Sequence, residues 1–170
     1  MINNDSFQRF MFEELHIRGE WVRLGASFQQ ATRAIAYPAA VKRLLGETIA
    51  ASVLLTGTLK FAGRLSIHAR GQGQLNLLTA ETTHNRHFRG LAKWQGDIHP
   101  DQSLKSLLGD AQLAITIEPE KGHRYQGIVP MERDSLAECL EDYFKLSEQL
   151  DTHLLLGANE QGCYGLLLQK

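Results

Sequence analysis

Between Pro38 and about Leu59 the sequence reads as one long helix, and this element constrains the fold more than any other. Its first half is amphipathic, with Val41, Leu44 and Leu45 on one face and Lys42, Arg43 and Glu47 elsewhere. From Ile49 to Leu55 it becomes apolar nearly all round: Ile49, Ala50, Ala51, Val53, Leu54, Leu55. A helix that is apolar on every side has to be covered on every side, so it predicts a helix enclosed between layers. Pro38 suits the start of such a helix, where its missing N–H is no loss. The apolar run Thr48 to Leu59 is too short to span a bilayer, which takes about 18 residues or more.

Around this helix the pattern has a period of two. Ile17 to Leu24 reads as a strand, and a short helix is expected from Ser27, as N-cap, to about Ala36. After Gly63, Leu65, Ile67 and Ala69 alternate with Arg64, Ser66, His68 and Arg70, the mark of a half-buried strand. Gly71-Gln72-Gly73 turns the chain, and Gln74 to Thr83 and Phe88 to Trp94 read as further strands. A helical turn at Leu104 to Leu108 ends at Gly109, before a hairpin of Leu113 to Ile117 with Arg124 to Val129. Ser135-Leu136-Ala137-Glu138 is a capping box, opening a helix with Leu136, Cys139, Leu140, Tyr143 and Phe144 on one stripe. Strands Thr152 to Leu156 and Tyr164 to Gln169 follow. The expected class is α+β, with antiparallel β-sheets packed around a long, largely buried central helix in β/α/β layers.

Composition excludes several function classes. With 43% hydrophobic and 22% charged residues in 170, the chain is globular and large enough for one domain without disulfides or metal. Eighteen Lys and Arg against nineteen Asp and Glu give a net charge of −1, unlike a protein that coats nucleic acid by bulk charge. Two distant cysteines, Cys139 and Cys163, match no metal or disulfide spacing and read as reduced thiols. The N-terminus has no signal-peptide pattern, so a soluble cytoplasmic protein is expected, and Asn4-Asp5-Ser6 is then no glycosylation site.

The sequence offers no catalyst. Gly71-x-Gly73 opens a strand instead of a helix, so it reads as a hairpin turn and not a phosphate loop. His84-x-x-His87 lacks a third zinc ligand and reads as an exposed polar loop. The carboxylates Glu138, Glu141, Asp142 and Glu148 read as one solvated helix face. His84, Arg86, His87, Arg89 and Lys93 with Phe88 and Trp94 could stack bases, which keeps an RNA- or ribosome-associated binding module as the alternative. The overall charge disfavours nucleic acid as a partner.

The segment Ser135 to Thr152, SLAECLEDYFKLSEQLDT, closely resembles the corresponding helix of the 33 kDa chaperonin family, the redox-regulated heat-shock chaperones. So do Ile17-Arg18-Gly19-Glu20, Leu55-Thr56-Gly57-Thr58-Leu59-Lys60-Phe61, Arg89-Gly90 and Arg124-Tyr125-Gln126-Gly127-Ile128-Val129, in the family's order. The resemblance implies an ATP-independent holdase that binds unfolded or misfolded proteins and prevents their aggregation, with no enzymatic activity. It also implies a homodimer, with strand exchange as one form that it could take. In that family a C-terminal module holds zinc through four cysteines and releases it on oxidation to disulfides, uncovering the client surface. Those cysteines do not occur here, so residues 1–170 are expected to be the N-terminal core domain alone, without zinc or other cofactor. An exposed apolar patch should then mark the client site. The strands from Leu65 to Trp94 are its expected location, through Leu65, Ile67, Leu75, Leu77, Phe88, Leu91 and Trp94.

Overall fold

A computed structural model describes residues 4–170. The chain runs β1 (Ser6–Phe12), β2 (Ile17–Leu24), α1 (Ala26–Thr32), α2 (Ala39–Gly57), β3 (Gly63–Gly71), β4 (Leu75–Thr83) and β5 (Phe88–Trp94). It continues through α3 (Leu104–Leu108), β6 (Ala111–Pro119), β7 (Tyr125–Pro130), α4 (Leu136–Tyr143), β8 (Thr152–Ala158) and β9 (Cys163–Gln169). All strand pairs are antiparallel. They form a four-stranded sheet, β1-β2-β9-β8, and a five-stranded sheet, β5-β4-β3-β6-β7. The fold is α+β, as the periodicity implied.

Helix α2 lies between the two sheets, and its small residues set how closely they approach. A Cβ on Gly46 would meet Ala158, Cys163 and Phe28 on the four-stranded side. On the other side Ile49 and Leu45 press against Gly90 of β5. Leu45, Ile49 and Leu54 are fully buried. The helix also carries buried hydroxyls at Thr48, Ser52 and Thr56. Thr48 and Thr56 donate back to the carbonyls of Leu44 and Ser52, both at 2.7 Å. Ser52 Oγ shares a 2.7 Å hydrogen bond with Thr82 Oγ1 of β4, so the polar atoms are satisfied where helix and sheet meet.

The structure corrects three details. Ser27 does not cap α1: the N-cap is Gly25, and the Asp5 carboxylate accepts the Gly25 N–H at 2.8 Å. Pro38 is the N-cap of α2, which ends at Gly57, two residues early. Strand β1 is not signalled by periodicity, because SFQRFMF does not alternate cleanly. Ser135 does cap α4, its Oγ accepting from the Glu138 N–H at 3.2 Å, and the predicted stripe is buried. The Gly71-x-Gly73 turn is required by α3, because a Cβ at either glycine would lie 2.2 Å from a backbone oxygen of Leu107 or Leu108.

Glu47, half-buried on α2, gives the fold a pH dependence. Burial pushes its carboxyl from 4.5 up to about 7, against the pull of Arg43. The native state therefore holds a proton that the unfolded chain releases. Stability from this group is full below pH 4.5 and is lost as pH rises through 7. Glu47→Gln should remove about 1–2 kcal/mol of the difference between pH 5 and pH 8, after discounting for solvent contact. Urea denaturation of both chains at the two pH values checks this.

Candidate functional site

The predicted client residues divide into three groups. Leu65, Ile67 and Leu75 lie in the core, exposed by 2% or less, because they occupy the inner face of the five-stranded sheet. Phe88 and Trp94 also turn inward, Phe88 to line a cleft beside Phe7 and Val53, Trp94 to meet Tyr37 at 5.6 Å. Leu65, Ile67 and Leu75 cannot form a surface patch as the structure stands, and Phe88 and Trp94 are half-buried. Leu77 and Leu91 do face outward, but between Arg70, Lys93 and Arg89.

The apolar surface lies on the outside of the other sheet. The register places Gln8, Trp21, Leu166 and Leu155 in one cross-strand row and Phe10, Gly19, Leu168 and His153 in the next. Flanking rows add Phe12 with Ile17, and Arg23 with Tyr164. Leu155 is 67% exposed, Tyr164 55% and Phe12 50%. Trp21, Leu166, Leu168, Phe10 and Ile17 are half-buried by one another, as on any sheet face without a covering layer. Beyond Phe12 the turn adds exposed Leu15. Scattered apolar residues on a surface mean little, whereas a contiguous face of this kind marks an interaction site.

Sequence reasoning missed this face, although β9 carried a signal for it. Leu166, Leu167 and Leu168 are consecutive, so a strand through them is apolar on both sides. Leu167 faces α2 and is buried, which sends its two neighbours outward.

The segment Ile17-Arg18-Gly19-Glu20 supports the face from beneath. Ile17 belongs to it, and the Phe10 ring lies across Gly19, where a Cβ would sit 2.2 Å from the ring. Arg18 Nε donates to Gln169 at 2.9 Å, and Gln169 Nε2 to Thr152 Oγ1 at 2.8 Å, a buried polar link across β2, β9 and β8. Glu20 turns inward to the end of α2 and pairs with Arg9 at 3.3 Å. Burial raises its carboxyl above the usual range, against the pull of Arg9, Arg18 and Arg86.

The outer face of the five-stranded sheet is mostly polar, with Leu77, Leu91 and the 59% exposed Ile128 as its apolar positions. A groove of about 510 Å³ crosses it, with Ser66, Thr79, Thr116 and Gln126 among its lining. His68, also in the groove, accepts from Arg70 Nε at 3.1 Å; burial, then the charge of Arg70, lowers its pKa. The His84 ring is tied to the Gly63 backbone, accepting its N–H at 3.1 Å.

The two cysteines do not suit a zinc site. Cys139 is buried on α4 and Cys163 on β9, and burial pushes both thiols up, Cys163 to about 12. Among the described residues no three His, Cys, Asp or Glu side chains cluster as metal ligands.

The model of the family described as Hsp33 protein matches residues 5–170. The chain belongs to the Hsp33 family. It is 52% identical over 169 residues to the 33 kDa chaperonin of Hahella chejuensis, covering 98% of this chain and 58% of that protein. The 33 kDa chaperonin of Nitrosococcus oceani is 47% identical, over 100% of this chain and 58% of its own length. The chain thus spans about three-fifths of the Hsp33 relatives it matches. The crystal structure of the 33 kDa chaperonin from Thermotoga maritima superimposes with a TM-score of 0.79 over 95% of this chain and 60% of that one, at 18% identity. At that identity the likeness speaks for the Hsp33 fold. None of the helices among the described residues is long and apolar enough to cross a membrane.

Proposed function

We propose that residues 1–170 are the client-holding core of an ATP-independent cytoplasmic chaperone, without enzymatic activity, and that the outer face of the four-stranded sheet is its client surface. The observation that carries this is the uncovered apolar ladder from Phe10 and Phe12 through Trp21 to Leu166 and Leu155. Such a face binds unfolding polypeptide by removing apolar area from water, which needs no nucleotide and tolerates many sequences. Membership of the Hsp33 family supports the same reading. The buried, poorly ionised Cys139 and Cys163 take no part, so redox control through a zinc module is not a property of these residues. A homodimer belongs to the same proposal, because β1 leaves a strand edge on this sheet, whereas on β8 the Leu154 N–H is taken by the Glu141 carboxylate at 2.9 Å.

Light scattering of a thermally unfolding client tests it. The chain should suppress aggregation equally in reductant and after peroxide, and suppression should survive 0.5 M salt. No suppression in either condition would overturn the proposal. Binding to RNA that falls steeply with salt would favour the nucleic-acid reading instead.

A further inference from the structure

The outer face of the five-stranded sheet differs in kind from the apolar face across the molecule. At one end a row of alternating charges crosses β5, β4, β3 and β6 and reaches the start of β7. Arg89 pairs with Glu81 at 3.3 Å, Glu81 with Arg64 at 3.9 Å, Arg64 with Glu118, and Glu118 with Arg124 at 3.8 Å, Arg124 standing just before β7. The row begins and ends on a guanidinium. Further along, Arg70 and Lys93 join the same face, and among the described residues neither has a carboxylate within ion-pair distance. Five cations therefore stand on this face against Glu81 and Glu118 in the row and Asp110 and Glu132 beside Arg70, and the surplus lies toward β5, where Arg89 and Lys93 flank Glu81. The groove between them offers hydroxyls and an amide from Ser66, Thr79, Thr116 and Gln126, with Leu91 at its side.

We propose that this face is a second polypeptide-binding surface, one that takes acidic, extended segments of an unfolding chain. The inference rests on the chaperone reading above and adds a substrate class to it. Charge complementarity selects the acidic segment. Gln126 Nε2 donates one N–H to Thr116 Oγ1 at 3.0 Å, and Thr79 Oγ1 donates to the Ile67 carbonyl at 3.1 Å. This leaves the second Gln126 N–H, its carbonyl and the remaining hydroxyl lone pairs to meet peptide groups, and Leu77 and Leu91 give aliphatic contact between the charges. RNA is the poorer occupant, because the strand's aromatics, Phe88 and Trp94, point into the core and leave no stacking platform beside Arg89 and Lys93. Two faces of opposite character would let one core hold both the apolar and the acidic stretches of a client.

Fluorescence anisotropy with a labelled Glu-Leu repeat peptide tests the proposal, against matched Gln-Leu and Lys-Leu peptides and oligouridylate. The Glu-Leu peptide should bind tightest and weaken about tenfold between 0.05 and 0.3 M salt. Arg89→Glu with Arg124→Glu should weaken it about tenfold or more while leaving the far-ultraviolet circular dichroism unchanged. Lys93→Glu lies outside the charged row and should act in the same direction, which guards against misfolding of the double variant. Equal affinity for the Gln-Leu peptide, indifference to both variants, or tighter binding of oligouridylate would overturn the assignment. A chain that holds clients without preferring the Glu-Leu peptide loses this face alone. One that binds the peptide yet suppresses no aggregation loses the chaperone reading.

Discussion

Glutamate at Leu155, Tyr164 and Phe12 together should abolish the suppression of client aggregation while leaving the fold intact. The three side chains are between 50% and 67% exposed, so their replacement removes few core contacts. They sit on β8, β9 and β1, and carboxylates there would place charge along the length of the apolar ladder. Burying a client against an unpaired carboxylate costs several kcal/mol in desolvation, more than the roughly 1.5–3 kcal/mol each apolar contact supplies. Leu146→Glu is the matching control. Leu146 is 80% exposed but lies on the π-helical turn after α4, outside the four strands that form this face, so its replacement should leave holding unchanged. Aggregation assays and circular dichroism on both variants check the pair, and loss of activity in the Leu146 variant would detach holding from the ladder.

Leu54→Ala should lower stability by about 3–5 kcal/mol, the largest effect expected of any single conservative change on α2. Leu54 is fully buried, and its methyl occupies the space that a side chain at Gly165 of β9 would need. Truncation leaves a cavity between helix and sheet that neither can close without breaking contact on its other side. For a chain of this length the loss corresponds to a drop in Tm of roughly 6–20 °C. Ser52→Ala should cost less, about 1–2 kcal/mol, by orphaning the Thr82 hydroxyl. Calorimetry on the two variants checks the ranking. A Leu54 variant as stable as the parent would mean that the sheets do not close on α2 as described.

The two sheets share a helix yet present opposite chemistry outward, and their strands show why. In β3 the outward positions are Arg64, Ser66, His68 and Arg70, so the alternation is apolar inside and polar outside. In β9 the outward positions are Tyr164, Leu166 and Leu168, and alternation fails. An antiparallel sheet with both faces apolar needs a second cover, and among the described residues none lies over this one.

Local pattern alone determined a good deal. The all-round apolar character of Ile49 to Leu55 demanded a layer on each side, and α2 has one. The capping box at Ser135, the stripe on α4, the end of α3 at Gly109 and the limits of β5 all follow from short-range rules of period, capping and turn chemistry. Strand-level reading could not determine which sheet each strand joins. Nothing in SFQRFMF marks it as a strand, and nothing local says that β9 lies between β2 and β8, since β2 and β9 are more than a hundred residues apart. The client surface depends on that pairing. Phe10, Trp21, Leu166 and Leu155 become neighbours only when four strands from both ends of the chain align in register, whereas Leu65, Ile67 and Leu75 look equally apolar in sequence and are covered by the central helix. Periodicity fixes which residues share a face of one strand; only the tertiary arrangement decides which face is left in water, because burial depends on what packs against it.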